Sequence, residues 1–120
     1  MGLTHVTVTV SNLTQDKAPF EADFLVDTGA VDCLVPGDRL AEAGVTVEGK
    51  AVYELANGEP IELEYGFARV KFMGTETVSQ IIFGPCGVEP ILGVVALENT
   101  GITVDLTTNT FRRLHARPLK

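Results

Sequence analysis

Asp27 closes an otherwise apolar run, Phe24-Leu25-Val26-Asp27-Thr28-Gly29-Ala30. A carboxylate in that position is costly unless hydrogen bonds or a function offset its desolvation. Gly29, two residues on, lets the backbone turn tightly and bring an N–H up to the carboxylate. A second apolar run, Ile91-Leu92-Gly93, stops just as abruptly at a glycine. The bland reading of Asp27 is a capping aspartate in a tight turn. That reading leaves the second junction unexplained.

The remaining reactive side chains form no comparable pattern. Cys33, Cys86, His5 and His115 are enough in number for a zinc site, but none stands in a paired ligand spacing. No metal or other cofactor is expected, and the two cysteines read as buried or half-buried thiols. A thiol protease would need an oriented histidine near one of them, and the sequence offers none. Asp16, Asp23 and Asp38 stand in polar surroundings, and Asp105 has no following glycine.

Period-2 alternation supplies the elements that must position Asp27. Val6, Val8 and Val10 alternate with threonines, and Phe20, Ala22, Phe24 and Val26 make a second strand running into Asp27. Cys33-Leu34-Val35 is a short extended piece, and 36–44 reads as a short helix with proline at its start and Gly44 as its stop. Val45 to Leu55 reads as a long strand. Asn57-Gly58 then signals a two-residue hairpin turn with positive φ at both positions. On the return strand the apolar parity switches near Gly66, which predicts a β-bulge. Strands at 77–83, 102–106 and 111–114 follow, the last two around an Asn109 turn, with a short helix over 94–99 closed by Gly101. The expectation is a single all-β domain over residues 1–120, closed or barrel-like, with one or two short helices.

With those elements in place, the chain resembles the retroviral-type (retropepsin-like) aspartic proteases. The resemblance rests on apolar-apolar-Asp-Thr-Gly-Ala at 25–30, the apolar-apolar-Gly junction at 91–93, and their order around the hairpin. It implies that the two junctions interlock beneath an active site, and that the Asn57-Gly58 hairpin is a flap. It also implies that Gly84-Pro85-Cys86-Gly87-Val88 is a substrate-wall loop. Asp27 would be catalytic, with Thr28, Gly29 and Ala30 supporting it. Asp32, Leu34, Asn57, Gly58, Val88 and Ile91 would contact substrate; a solvated loop charge is an equal reading of Asp32. One Asp-Thr-Gly per chain implies a homodimer, in which two Asp27 carboxyls share a proton because like charges so close cannot both ionise. The chain ends, around Leu3 to Val8 and Arg112 to Leu119, would pair between subunits. The sequence departs from the family in carrying Val31 and Val94 where the viral enzymes have an Asp–Arg ion pair. Both charges are missing together, so no lone charge is left buried.

Composition bounds what remains. A net charge of −7 argues against nucleic acid, whose phosphates call for clustered Lys and Arg. No apolar run approaches the ~20 residues of a membrane helix, and the N-terminus lacks the pattern of a signal peptide. The expectation is a soluble, cytoplasmic aspartic endopeptidase acting on peptide or protein substrates. The alternative is a silent dimer of the same fold that binds peptides without cutting them.

Overall fold

The computed structural model describes residues 4–105, 107, 108, 110–114, 116 and 119. Leu3, Leu106, Asn109 and His115, which figure in the expectations above, lie outside the described residues. The fold is predominantly β. Among the described residues, nine strands and two short helices run in the order β1 (His5–Ser11), β2 (Phe20–Val26), β3 (Cys33–Pro36), α1 (Gly37–Glu42), β4 (Gly49–Glu54), β5 (Pro60–Phe72), β6 (Thr75–Gly84), β7 (Ile91–Leu92), α2 (Val94–Thr100), β8 (Ile102–Asp105) and β9 (Thr110–Arg113).

Seven strands share one sheet in the order β1-β2-β7-β3-β6-β5-β4, and β1 also pairs with β5. Six of them therefore form a ring, with β4 attached outside it. The alternation read from the sequence decides what faces inward: Val8, Val10, Phe24, Val35, Val70, Ile81 and Leu92 are all buried together. Burying that many branched and aromatic side chains is the main stabilising contribution, at roughly 1.5–3 kcal/mol each. Leu40 of α1 and Ala96 and Leu97 of α2 pack onto the same core. Gly101 caps α2 in the left-handed conformation, as the sequence predicts. β8 and β9 form a separate two-stranded sheet.

Three local expectations are corrected. The long strand from Val45 is only β4; Val45 itself is buried, but no strand pairing begins before Gly49. The hairpin tip is not a two-residue turn, because Asn57 does not have positive φ and Gly58 does. Gly58 N–H donates to Leu55 O and Leu55 N–H to Glu59 O, each at 2.8 Å. This is a type I turn completed by a left-handed glycine, which needs only one such residue. The bulge near Gly66 is absent: β5 pairs with β6 in unbroken register from Tyr65↔Ile82 to Phe72↔Thr75. The parity switches because β5 changes partners and covered face. Its first half runs with β4, and its second half lies over the core between β6 and β1. Gly66 is needed for space, since a Cβ there would collide with the Thr46 carbonyl oxygen.

Candidate active site

β2 delivers Asp27 to the end of the ring. Leu25 and Val26 run parallel to Ile91 and Leu92 of β7, an interior position where near-continuous apolar sequence is required. The pairing carries on past the strand, with Asp27 N–H donating to Leu92 O at 3.1 Å. The chain then turns, and Ala30 N–H donates to Asp27 O at 3.1 Å. Gly29 N–H donates to Asp27 Oδ1 at 2.9 Å, which fixes the orientation of the half-buried carboxyl. A Cβ on Gly29 would sit 3.2 Å from that same oxygen.

The second junction lies directly against the first. Val94 N–H donates to Ala30 O at 2.8 Å and Val95 N–H to Val31 O at 3.2 Å, so α2 begins on the carbonyls of the Asp27 loop. Ile91 pairs with Leu25 on one side and with Leu34 on the other. Gly93 is required between them because a Cβ there would lie 2.6 Å from the backbone of Asp32. Backbone hydrogen bonds thus join the segments at the positions where Val31 and Val94 stand. Val31 is 61% exposed and belongs to the lining of the neighbouring cleft.

Beside the loop opens a cleft of about 410 Å³. Gly29, Ala30, Asp32, Leu34 and Ile91, all singled out in the sequence, line it. The underside of the β4–β5 hairpin contributes Tyr53, Leu55, Ile61 and Leu63, and β6 contributes Ile82. Thr28 is exposed at the loop surface, outside this lining. Asn57 and Gly58 are exposed at the hairpin tip, where the Asn57 side chain is engaged with Glu59 through both its amide atoms. Val88 is half-buried outside the cleft lining, its N–H donating to Pro85 O and its side chain against Gly84. None of these last three residues lines the cleft of a single chain.

The solvated-charge reading of Asp32 is not what the geometry gives. Its carboxylate is half-buried in a three-way network with two residues that sequence inspection missed. Tyr53 Oη donates to Asp32 Oδ2 at 3.3 Å, and Gln80 Nε2 reaches Asp32 Oδ2 at 3.3 Å and Tyr53 Oη at 3.1 Å. Burial pushes the Asp32 carboxyl up from its ordinary range, against the opposing pull of the Tyr53 hydrogen bond. Burial also raises the Tyr53 phenol, while the Gln80 amide works the other way. The available signal was parity: Tyr53, Ile61 and Leu63 share the hairpin's inner face. Nothing local in the sequence tied Gln80 to them.

Three other aspartates, Asp16, Asp23 and Asp105, have structural partners of their own. Asp23 accepts the Thr7 hydroxyl, Asp16 accepts from Asn12 and Thr14, and Asp105 accepts the Thr107 and Thr108 N–H groups. Cys33 is buried, but Cys86 is exposed, against the expectation of a buried or half-buried thiol, because it lies in the surface turn that follows β6. Among the described residues no cluster of His, Cys, Asp and Glu could hold a metal ion. Among the described residues no helix is long and apolar enough to cross a membrane. The chain matches no protein-family model and no curated protein.

Proposed function

We propose that this chain is one subunit of a homodimeric, retropepsin-like aspartic endopeptidase, with the six-strand ring serving as its barrel-like body. The observation that carries the reading is the interlock of the two junctions around Asp27. A strand-end carboxyl is oriented by Gly29 N–H, anchored through Leu92 O, and set beside an apolar cleft roofed by a hairpin. A capping aspartate would require only the first of these features.

One chain supplies one such carboxyl, and the chemistry requires two. In a two-fold dimer the two Asp27 carboxyls face each other and hold a single proton between them. The ionised member takes a proton from the attacking water, while the protonated member hydrogen-bonds the scissile carbonyl and helps protonate the leaving amine. The β4–β5 hairpin closes over the bound peptide and excludes water. Asp32, Leu34 and Ile91 form the wall of each half-site. Asn57, Gly58 and Val88 would meet substrate only after the hairpin closes or the second subunit is added.

The test is digestion of a mixed peptide library by the purified protein and by Asp27→Asn, read by mass spectrometry from acid to neutral pH. Wild type is expected to cut and Asp27→Asn to lose at least ~10²–10⁴-fold in rate, the usual contribution of a positioned acid–base group. Both proteins are expected to sediment as dimers. Full activity of a sedimenting monomer, or equal activity of Asp27→Asn, would overturn the reading.

A further inference from the structure

The Asp32 network is asymmetric in a way that bears on the ligand. Both donors, Tyr53 and Gln80, load the same carboxylate oxygen, Oδ2. The other oxygen, Oδ1, accepts no hydrogen bond among the described residues, and it is not a buried unpartnered atom either. It is therefore held in a fixed direction with an open lone pair.

Among the described residues the same carboxylate has no counter-charge. The ion pairs among the described residues are Arg39–Glu42 and Arg69–Glu76, and His5 is hydrogen-bonded to Glu89. None involves Asp32, and no Lys or Arg lines the cleft. The only other ionisable carboxyl on that wall, Glu54, adds to the negative potential rather than offsetting it. A half-buried charge held by neutral donors is more costly than one paired with a cation. The rest of the wall is aliphatic, and that part favours an apolar side chain.

Building on the endopeptidase reading above, we propose that the Asp32 wall selects peptides carrying a basic side chain, lysine or arginine, next to an aliphatic residue seated in the cleft. Asp32 Oδ1 accepts the cation's N–H. Tyr53 and Gln80 are positioning residues that hold the carboxylate by its other oxygen. Charge complementarity identifies the occupant: the ligand brings the cation that the protein omits. In a two-fold dimer the same wall recurs on the other side of the scissile bond, so the preference appears at two symmetric positions.

The experiment uses the intact dimer and a set of peptides in which arginine, or its uncharged isostere citrulline, is walked through each position around an aliphatic pair. A charge-assisted hydrogen bond at a partly buried site predicts an arginine-over-citrulline ratio in kcat/KM of about tenfold at the reading positions, expressed mainly in KM. In Asp32→Asn that ratio falls to about one, whatever happens to the absolute rates. Tyr53→Phe and Gln80→Ala lower the ratio partway, and they stand in for Asp32→Asn should that variant fail to fold. A ratio near one in wild type, or an unchanged ratio in the variants, overturns the proposal. The same peptides are titrated against Asp27→Asn by fluorescence anisotropy, with the same tenfold preference expected in Kd. If wild type cuts none of them, the hydrolase reading falls, and the binding ratio alone decides the charge preference.

Discussion

Gly93 stands so close to Asp32 that a single methyl group at position 93 would lie 2.6 Å from the Asp32 carbonyl carbon and oxygen. Gly93 has φ of −87°, a conformation open to any residue, so space alone demands glycine here. The atoms it would strike are backbone and cannot swing aside as a flexible side chain would. Gly93→Ala is therefore expected to cost about 1–3 kcal/mol of stability, as overpacking in a close-packed interior does. The comparison is Gly87→Ala, which meets nothing within 4 Å but sits at φ +82° and costs about 1–2 kcal/mol through backbone strain. Urea denaturation of both variants checks the prediction. A Gly93→Ala midpoint equal to that of the wild type, with Gly87→Ala lowered, would mean that the two junctions are not tightly seated.

The hairpin tip should be the most readily opened part of β4–β5. Residues 54–60 are all exposed, and among the described residues the tip is held by its own turn and Asn57–Glu59 hydrogen bonds. Further down, the Tyr53 hydroxyl is tied to Asp32 and Gln80. Amide exchange is expected to be fastest over 55–59 and to slow by orders of magnitude towards Val70 in the core. Protection at Gly58 comparable to that at Val70 would remove the gating role from the hairpin.

How much of this was legible in the sequence depended on how local each cause was. The Asp27 junction could be read because one strand's alternation and one glycine define it. The hairpin's position was legible from Asn57-Gly58, but its turn type was not. Asn57 spends its side chain on Glu59, and a single left-handed residue then suffices. The parity switch at Gly66 was real, yet its cause is a change of neighbours along one continuous strand, which alternation cannot distinguish from a bulge. β7 is only two residues long and exists through non-local pairing with Leu25, Val26 and Leu34. Gln80 escaped notice because its partners lie 27 and 48 residues away.

The buried thiol makes an alkaline prediction. Burial, helped by the nearby Asp32 charge and opposed by a backbone hydrogen bond at Gly93, pushes Cys33 up to about 11 from an ordinary 9.0. Well below pH 9 the thiol is protonated in both folded and unfolded chains, and it adds no pH dependence. As pH rises towards 11 the unfolded chain ionises first, so unfolding is favoured by up to roughly 2–3 kcal/mol. Cys33→Ala should lose that component, so its denaturation midpoint falls less between pH 8 and pH 10.5 than that of the wild type under reducing conditions. Parallel declines would show that Cys33 titrates freely in the folded state.

Asp32 gives the opposite end of the pH scale and separates function from stability at one residue. Its folded-state carboxyl is raised by burial, so the folded protein prefers the protonated form more than the unfolded chain does. The stabilising contribution is present in acid and is lost as pH rises through the folded value. At neutral pH the ionised, uncompensated carboxylate therefore works against folding. Asparagine is nearly isosteric, and its carbonyl oxygen can accept from Tyr53 and Gln80 without carrying charge. Asp32→Asn is thus expected to raise the denaturation midpoint at pH 7, with the gain shrinking to nothing as the pH falls below the carboxylate range. The same substitution is expected to abolish discrimination between arginine and citrulline peptides. A residue whose replacement stabilises the fold while removing a preference is retained for the preference. If Asp32→Asn is instead destabilising at pH 7 to the same degree as in acid, the carboxylate is a structural bracket for Tyr53 and Gln80, and its charge has no separate role.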